Sequence, residues 1–592
     1  MMKSFTQKSL RQLGLLTVGV YMSAAPWNTL RADSDRQFLG ELMKDTWSCL
    51  DAMRHPKTGL PCDTQKHEGS TNTTNIGLYL ASLCVAKELD YVTPEDGRNR
   101  VEKILTSLES YNRMHGFMPN FIEVDLSASE SKGVMAVSDF NKLATGLIMA
   151  RQTWPALDKR ISRFLDKIEW SRLYDAKTGL VGWGYDFDND RCAGWGRLWL
   201  TADTRSAAFM MVATGAAPPE IWKRMDRQHI QTPYGTICRG YGLGGLFLHA
   251  MDGIFLPETY TEVGESAGNL AWQQIQFARK KAYPLWGWSN CYKPDDGYTE
   301  GGYLSEHVVT PHCVALMIEY YPKHVTANLR KMTKLGGTVP PKGYEGKKWG
   351  LRDSYNMQTK RWDHRYLSLD QGMLFLSLAN YLHDGVARSI YGRDPQVKQG
   401  LKLLNPYMQT NPTLADRWQQ RDAKFGKQKP HTQPASKPAV HHVPLSAAKS
   451  NNPKVLTVHK QGGEAALIKL DRREKEVDCK VTIKFPALDL QRLDKVELDL
   501  SVLDSSPGPI GALRLLVTDR FGQQRYAHFE LSKDQSTYTI PAKDLWGIWI
   551  DGAKVDTIQL QFWSNAWFYT TKRWQAQRSS LLLKSIRFHC QL

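Results

Sequence analysis

The fold class the sequence predicts is multidomain: an all-α toroid of helical hairpins followed by an all-β sandwich. Three observations predict it. Between residues 38 and about 400, apolar side chains recur at helical spacing, separated by loops rich in Gly, Pro and Asp. From about 453 to 592 the apolar period drops to two, and turns separate short runs. Between these stretches, residues 424–452 combine Pro, Ser, Lys and the pair His441-His442 with little that can pack, which predicts a flexible linker. At 592 residues the chain is also too long for one ordinary core.

The chain opens on a secretory-type leader. Lys3, Lys8 and Arg11 give a basic start, and residues 13–25 form a short apolar core. Residues 1–32 are read as a signal peptide cleaved after Ala25 or Ala32, with Pro26 disfavouring the first. The apolar run is too short for a comfortable membrane span, and no other candidate span follows. A secreted or periplasmic protein is expected, with domains at 33–423 and 453–592. Export permits disulfides. Of the nine Cys, Cys49 with Cys62 and Cys479 with Cys590 are the candidate pairs, and the odd count leaves at least one thiol.

Within 33–423, Ile76, Leu80 and Leu83 lie at i, i+4 and i+7, with Thr74 as candidate N-cap. Val101, Ile104, Leu105 and Leu108 form a second stripe, and Leu143, Leu147 and Ala150 a third. Ile161, Phe164, Leu165 and Ile168 form a fourth. Residues 373–382 are a bare apolar run that reads as a buried helix. Asp370 falls at or just before its first turn, where the dipole and the free amides favour a carboxylate. Taken alone, Asp370 reads as an N-cap. Trp47-Ser48 before Lys57-Thr58-Gly59-Leu60 is echoed about 120 residues later by Trp170-Ser171 before Lys177-Thr178-Gly179-Leu180. Repeated helical hairpins with their loops on one side make a toroid.

In the second region, residues 481–485, 496–500, 512–517, 558–562 and 582–586 read as strands of a sandwich. Trp546, Trp549, Trp563, Trp567 and Trp574 gather in or near its loops, either as a sugar platform or as packing against the helical domain.

The net charge of +17 by itself suggests nucleic acid or an anionic surface. No nucleic-acid motif accompanies it, so no nucleic-acid partner is expected; acidic polysaccharide or an anionic envelope is the simpler explanation. Asp186-Phe187-Asp188-Asn189-Asp190 has the acid density of a calcium loop but lacks its Gly and distal Glu. The Gly-rich run 240–245 lacks the Lys-Ser/Thr of a phosphate loop. No Cys or His spacing marks zinc. No metal and no cofactor are expected.

Several motifs occur in order. Thr71-Asn72-Thr73-Thr74-Asn75-Ile76-Gly77-Leu78-Tyr79-Leu80 resembles the Thr-Asn-Ile-Gly-Leu-Tyr-Leu stretch of the glucoamylase-like superfamily, which includes endo-β-1,2-glucanases and the helical domains of cyclic β-1,2-glucan synthases. Residues 200–209 resemble the synthases' Ala-Ser-Glu-Ala-Arg helix, and 245–249 resemble the glucanases' Gly-Pro-Leu-Phe-x-His. Trp286-Gly287-Trp288 with Asp296-Gly297-Tyr298 resembles their Trp-Gly-Leu-Thr and Asp-Gly-Tyr. Arg352-Asp353-Ser354-Tyr355-Asn356 and Leu369-Asp370-Gln371-Gly372 resemble Val-Asp-Ala-Phe-Asn and Ile-Asp-Gln-Gly.

The resemblance spans roughly residues 45–400 and implies an (α/α)6 barrel and glycoside hydrolysis on a polysaccharide or oligosaccharide. Such chemistry needs one protonated and one charged carboxyl. By family position these are Asp203, as acid, and Asp370, activating water in an inverting reaction. Asp203 stands where glucanases carry Glu and is a methylene shorter. Asp139, Glu306 and Asp353 are reserve acids. With His249, Trp286, Trp288, Asp296, Tyr298, Asn356 and Gln371 they make up the expected substrate-binding set. The leading reading is an exported hydrolase of a bacterial β-glucan or exopolysaccharide. A transglycosylase and a non-catalytic glycan-binding or export accessory are the alternatives, the latter favoured by Asp203 in place of Glu.

Overall fold

The computed structural model describes residues 26–240, 245–294, 297–299, 307–426, 438–462, 464–471, 479–506, 511–520, 522, 524–545, 554–562 and 578–591. The predicted leader lies outside these residues except for 26–32, which open the first helix. Asp296, Glu306, residues 241–244 and the five Trp of 546–574 lie outside them as well.

Residues 26–426 are mainly helical. In chain order the helices are α1 (Pro26–Ala52), α2 (Thr73–Glu88), α3 (Pro94–Ser110), α4 (Val137–Thr153) and α5 (Asp158–Leu165). Then come α6 (Arg205–Ala213), α7 (Glu220–Arg224), α8 (Leu246–Ala250), α9 (Glu262–Lys280), α10 (Pro311–Ala315) and α11 (Pro322–Lys334). The last are α12 (Ser368–Leu382), α13 (Val386–Gly392), α14 (Pro395–Leu404), α15 (Thr413–Gln419) and α16 (Arg421–Phe425). The four apolar stripes fall on α2, α3, α4 and α5, though Ile168 lies just past the end of α5.

Even-numbered helices carry most of the central packing. Helix α2 packs against α4 and α12, α4 against α6, α8 against α10, and α10 against α12. Helices α1, α3, α5, α9 and α11 lie against α12, α2, α4, α8 and α10 respectively. The centre of α2 is buried all round, from Thr73 to Ala86, as a helix inside a second layer of helices must be.

The tightest crossing joins α2 to α4. A Cβ on Gly77 would sit 2.0 Å from the Lys142 carbonyl oxygen, and one on Gly146 would sit 2.3 Å from the Gly77 carbonyl oxygen. Backbone meets backbone there, so only glycine fits. The Thr-Gly turns do repeat. Gly59 and Gly179 take φ of +74° and +69°, and each amide bonds the carbonyl four residues back, on His55 and Asp175. The preceding segments differ, since Trp47 lies within α1 whereas Trp170 opens a short 3-10 turn, Trp170–Leu173.

The second region forms two antiparallel sheets over one core. One has the strand order Leu456–Gln461, Ala465–Asp471, Arg578–Cys590, Leu493–Ser506, Thr537–Pro541. The other runs Ala448–Ser450, Cys479–Leu488, Val555–Phe562, Ala512–Asp519, Gln524–Glu530. Ile468, Leu498 and Phe588 of the first sheet meet Val481, Leu515 and Leu560 of the second in the core. All five sequence-predicted strands lie within observed ones.

Two expectations are corrected. The stretch 424–452 is not linker throughout. Ala439–His442 pairs with Arg578–Cys590, and Ala448–Ser450 pairs with Cys479–Leu488. Val443 and Leu445, buried at 5% and 4% exposure, anchor these strands. Edge pairing is made by the backbone, so a basic, polar composition does not forbid it. Neither candidate disulfide is present: Cys49, Cys62, Cys479 and Cys590 remain thiols. Cys49 instead lies 3.8 Å from the Met53 sulfur, inside α1.

Gly77→Ala is expected to destabilise the protein by about 1–3 kcal/mol, the usual cost of overpacking, although alanine is intrinsically the better helix former by ~1 kcal/mol. Urea unfolding measures the difference; a stabilised variant contradicts the close crossing.

Candidate active site

The N-terminal ends of the inner helices bring the acids together, and the opening of α2 is the hinge between them. Asn72 caps α2, its side chain accepting the Asn75 amide at 2.7 Å. Asn72, rather than the predicted Thr74, is therefore the cap. That frees the Thr74 hydroxyl to donate to Asp139 Oδ1 at 2.5 Å, in the first turn of α4. It also frees Asn75 Nδ2 to donate to Asp63 Oδ1 at 2.9 Å. The charge of Asp139 is felt by Asp203, and that of Asp63 by Asp370. An acidic run thus passes along the starts of α6, α4, α2 and α12.

Asp370 is the third residue of α12 and is 2% exposed. It is not a cap: the cap position is Leu367, and among the described residues no amide, hydroxyl or cationic group donates a hydrogen bond to either Asp370 oxygen. His312 Nδ1, from the first turn of α10, lies 3.1 Å from Asp370 Oδ2. Asp353 belongs to the loop before α12 and accepts the Tyr292 amide on Oδ2 at 2.6 Å. Gln371 Nε2 donates to the Leu351 carbonyl at 2.9 Å, tying that loop to the helix.

Asp203 is half-buried just before α6 and stands on a buried ion network. Lys142 Nζ of α4 donates to the Asp203 carbonyl oxygen at 3.0 Å and the Ser206 hydroxyl at 2.7 Å, and pairs with Asp252 Oδ1 at 2.7 Å. Arg205 forms a two-pronged pair with Glu258, both contacts at 2.7 Å, and donates to the Leu248 and His249 carbonyls of α8. These four charges are satisfied by one another, as buried charges must be. They fix the start of α6 on α4 and α8 and leave the Asp203 carboxyl free of them.

Burial pushes both carboxyls up, each to about 7. For Asp203, Lys142 counters the burial and the Asp139 and Asp252 charges reinforce it. For Asp370, the Asp353 carboxyl, which can hydrogen-bond to it when protonated, counters burial and the Asp63 charge reinforces it. A rise from 3.8 to about 7 corresponds to roughly 4 kcal/mol. A helix dipole returns only ~0.3–1 kcal/mol, so desolvation decides the protonation of both groups.

A family model named Glycoamylase, for glucoamylase-type proteins, matches residues 206–393, and one described as a protein of unknown function (DUF3131) matches 41–178. An endo-β-1,2-glucanase from Chitinophaga pinensis, in complex with sophorotriose and glucose, superposes with a TM-score of 0.53 at 18% identity. The match covers 64% of this chain and 99% of that one. The helical domain is glucoamylase-like. A β-1,2-glucanase from Parabacteroides distasonis gives a TM-score of 0.53 at 17% identity, covering 63% of this chain and 60% of that one. An endo-β-1,2-glucanase from Talaromyces funiculosus with sophorose gives 0.51 at 11%, covering 67% and 92%. No curated protein matches the sequence.

Within the glucoamylase-like domain the expected site residues divide. Asp370, Asp353, Gln371, Asp203 and Asp139 lie along the acidic run. Tyr298 meets Tyr292 edge to face, with ring centroids 5.3 Å apart, and the Tyr292 amide in turn holds Asp353. Four others are engaged in the packing and hydrogen bonds of the fold itself. Trp288 is 1% exposed, is packed edge-on against Phe277 and is locked to Gln274 through its amide and carbonyl. Trp286 is buried, with its backbone held by Asn328. His249 sets its two ring nitrogens against the Gly245 and Cys238 carbonyls, and burial pushes it down to about 4. Asn356 closes a turn, accepting the Gln358 and Thr359 amides.

Sequence reasoning missed His312, Asp63, Lys142, Asp252 and Glu258, which belong to no motif. Pro311 at the start of α10 was the available signal for His312, since Pro at a first helical position marks a helix N-terminus, the end at which the acids gather. A His312 ring nitrogen and carboxylate oxygens of Asp353 and Asp370 all lie within 4.8 Å of one another. A groove of about 920 Å³ lies elsewhere, at the opposite ends of α4 and α6, and its Arg151 and Asp394 are paired at 2.7 Å.

The raised Asp370 carboxyl makes a stability prediction with a definite sign. A carboxyl whose folded value exceeds its unfolded one stabilises the fold while protonated, and that contribution is lost as pH rises from about 4 through about 7. Asp370→Asn is therefore expected to raise Tm at pH 8, by the equivalent of at most roughly 4 kcal/mol, with the difference vanishing towards pH 4. An equal or lower Tm at pH 8 contradicts the buried, donor-free carboxylate.

Proposed function

We propose that the chain is an exported glycoside hydrolase that cleaves a β-glucan, with β-1,2 linkages as the first choice, by inversion. Its scaffold is an (α/α)6 toroid made from the packed helix pairs. The observation that carries the reading is Asp370: a carboxylate buried at a helix start, unused as a cap, with both oxygens lacking donors. Such a group costs stability and is retained where it does chemistry. The second raised carboxyl, Asp203, supplies the other half of the pair. The β-1,2-glucanase neighbours with sophorose-type ligands support the linkage.

In this reading Asp203 holds its proton up to about pH 7 and gives it to the leaving glycosidic oxygen. Asp370, ionised, takes a proton from water as the water oxygen bonds to the anomeric carbon from the opposite face. The bond from that carbon to the leaving oxygen breaks, and the new reducing end has the inverted configuration. Negative charge on Asp139 favours the protonated form of Asp203; burial raises the Asp139 carboxyl too, and the Thr74 hydrogen bond counters that rise.

The test uses the full chain and a panel of purified bacterial glucans. Cleavage is expected to peak near pH 7 and fall on both sides, because Asp370 must be ionised and Asp203 protonated. Asp370→Asn is expected to lower turnover about 10²–10⁴-fold with glycan affinity retained. Proton NMR of the fresh product reads the anomer. Unchanged cleavage by the Asn variant refutes the base assignment, and glycan binding without cleavage by the wild type moves the assignment to an accessory protein.

A further inference from the structure

Asp353 has no part in the mechanism above, yet it is 1% exposed and adjoins the base. Its Oδ2 is satisfied by the Tyr292 amide, while its Oδ1 has no donor, like both oxygens of Asp370. Two charged carboxyls this close, three of their oxygens bare, cannot both stay ionised. One proton between them removes a charge and supplies the missing donor at once.

The surroundings decide which carboxyl keeps that proton. The Thr310 hydroxyl donates to the Asp353 carbonyl oxygen at 2.7 Å, so at 2.7 Å from His312 Nδ1 it can only accept. His312 Nδ1 therefore carries the hydrogen and gives it to Thr310, while the polarised N–H edge of the ring lies 3.1 Å from Asp370 Oδ2 without hydrogen-bonding it. The helix start of α12 also favours charge on Asp370. Asp353, by contrast, feels the charges of both Asp370 and Asp363.

We propose that Asp353 is a positioning residue that keeps one proton and donates a hydrogen bond through it to Asp370, orienting the ionised base towards its water. The proposal rests on Asp370 being the base. The other titratable groups facing the pair are His312, Asp63, Asp363, Cys291 and Cys313. Burial pushes His312 down to about 4 and both thiols well up, so these three are neutral at pH 7. Asp363 is bound by Arg365 at 2.9 Å, and Asp63 accepts from Asn75.

Asp353→Ala and Asp353→Asn in the full chain test it. Alanine removes the donor, so ionising Asp370 becomes harder. The acid limb of kcat/KM should move up by about one pH unit, a tenfold loss below that limb. Asparagine restores an N–H donor and should return the limb towards the wild-type position. Packing loss alone leaves the limb in place. Infrared difference spectra read the proton without turnover: at pH 8, wild type minus Asp353→Asn should show a protonated-carboxyl band that shifts in deuterium oxide. Absence of that band overturns the proposal whatever the activity. A band with no glycan cleavage sinks the hydrolase reading alone. Stoichiometric Mn²⁺ or Zn²⁺ binding by calorimetry, abolished in Asp353→Asn, also overturns it, because a metal then occupies the place of the proton.

Discussion

The close crossing of α2 over α4 at Gly77 and Gly146 is the contact on which the site depends. With a Cβ at either position meeting backbone at 2.0–2.3 Å, the two helices lie as near as main chains allow. One turn above that contact, Thr74 reaches Asp139, and Asn75 reaches Asp63. A wider crossing would separate these pairs and with them the two halves of the acidic run. The Thr-Asn-Ile-Gly motif is therefore one device: the polar residues hold acids, and the glycine sets the distance.

Two kinds of buried charge stand side by side. Lys142, Asp252, Arg205 and Glu258 neutralise one another and fasten α6 to α4 and α8. Removing one partner from such a set typically costs about 3–5 kcal/mol, which makes it framework. Asp370 and Asp353 have no counter-ion at hydrogen-bond distance, and burial raises both. Charges that the fold satisfies build the scaffold. Those it leaves unsatisfied are held ready for a ligand, a water or a proton.

The sequence made the helices legible wherever one face was apolar, and the β strands wherever period two held, because these patterns are imposed by burial alone. Its motifs also drew attention to Asp370, Asp353 and Gln371, which the fold brings to the start of α12 and the loop before it. It could not show that Trp286, Trp288 and His249 are buried, since residue type does not say whether an aromatic fills a core or lines a cleft. The strands at Ala439–His442 and Ala448–Ser450 escaped because edge pairing leaves little trace in composition. Lys142, Asp63 and His312 were invisible for a different reason. Their roles arise from contacts with residues outside their own local pattern, such as Lys142 with Asp203, His312 with Asp370 and Asp63 with Asn75, and no local pattern encodes such contacts.

The central claim is that Asp203 and Asp370 serve one glycosidic bond from opposite sides. A crystal structure of the Asp370→Asn protein soaked with a β-1,2-gluco-oligosaccharide tests it most directly. The account predicts the sugar chain across the starts of α2, α4, α6 and α12, with a glycosidic oxygen within hydrogen-bond reach of Asp203. It also predicts a water between Asn at 370 and the neighbouring anomeric carbon. An oligosaccharide bound only in the groove at the far ends of α4 and α6, or only on the β-sandwich, would contradict it.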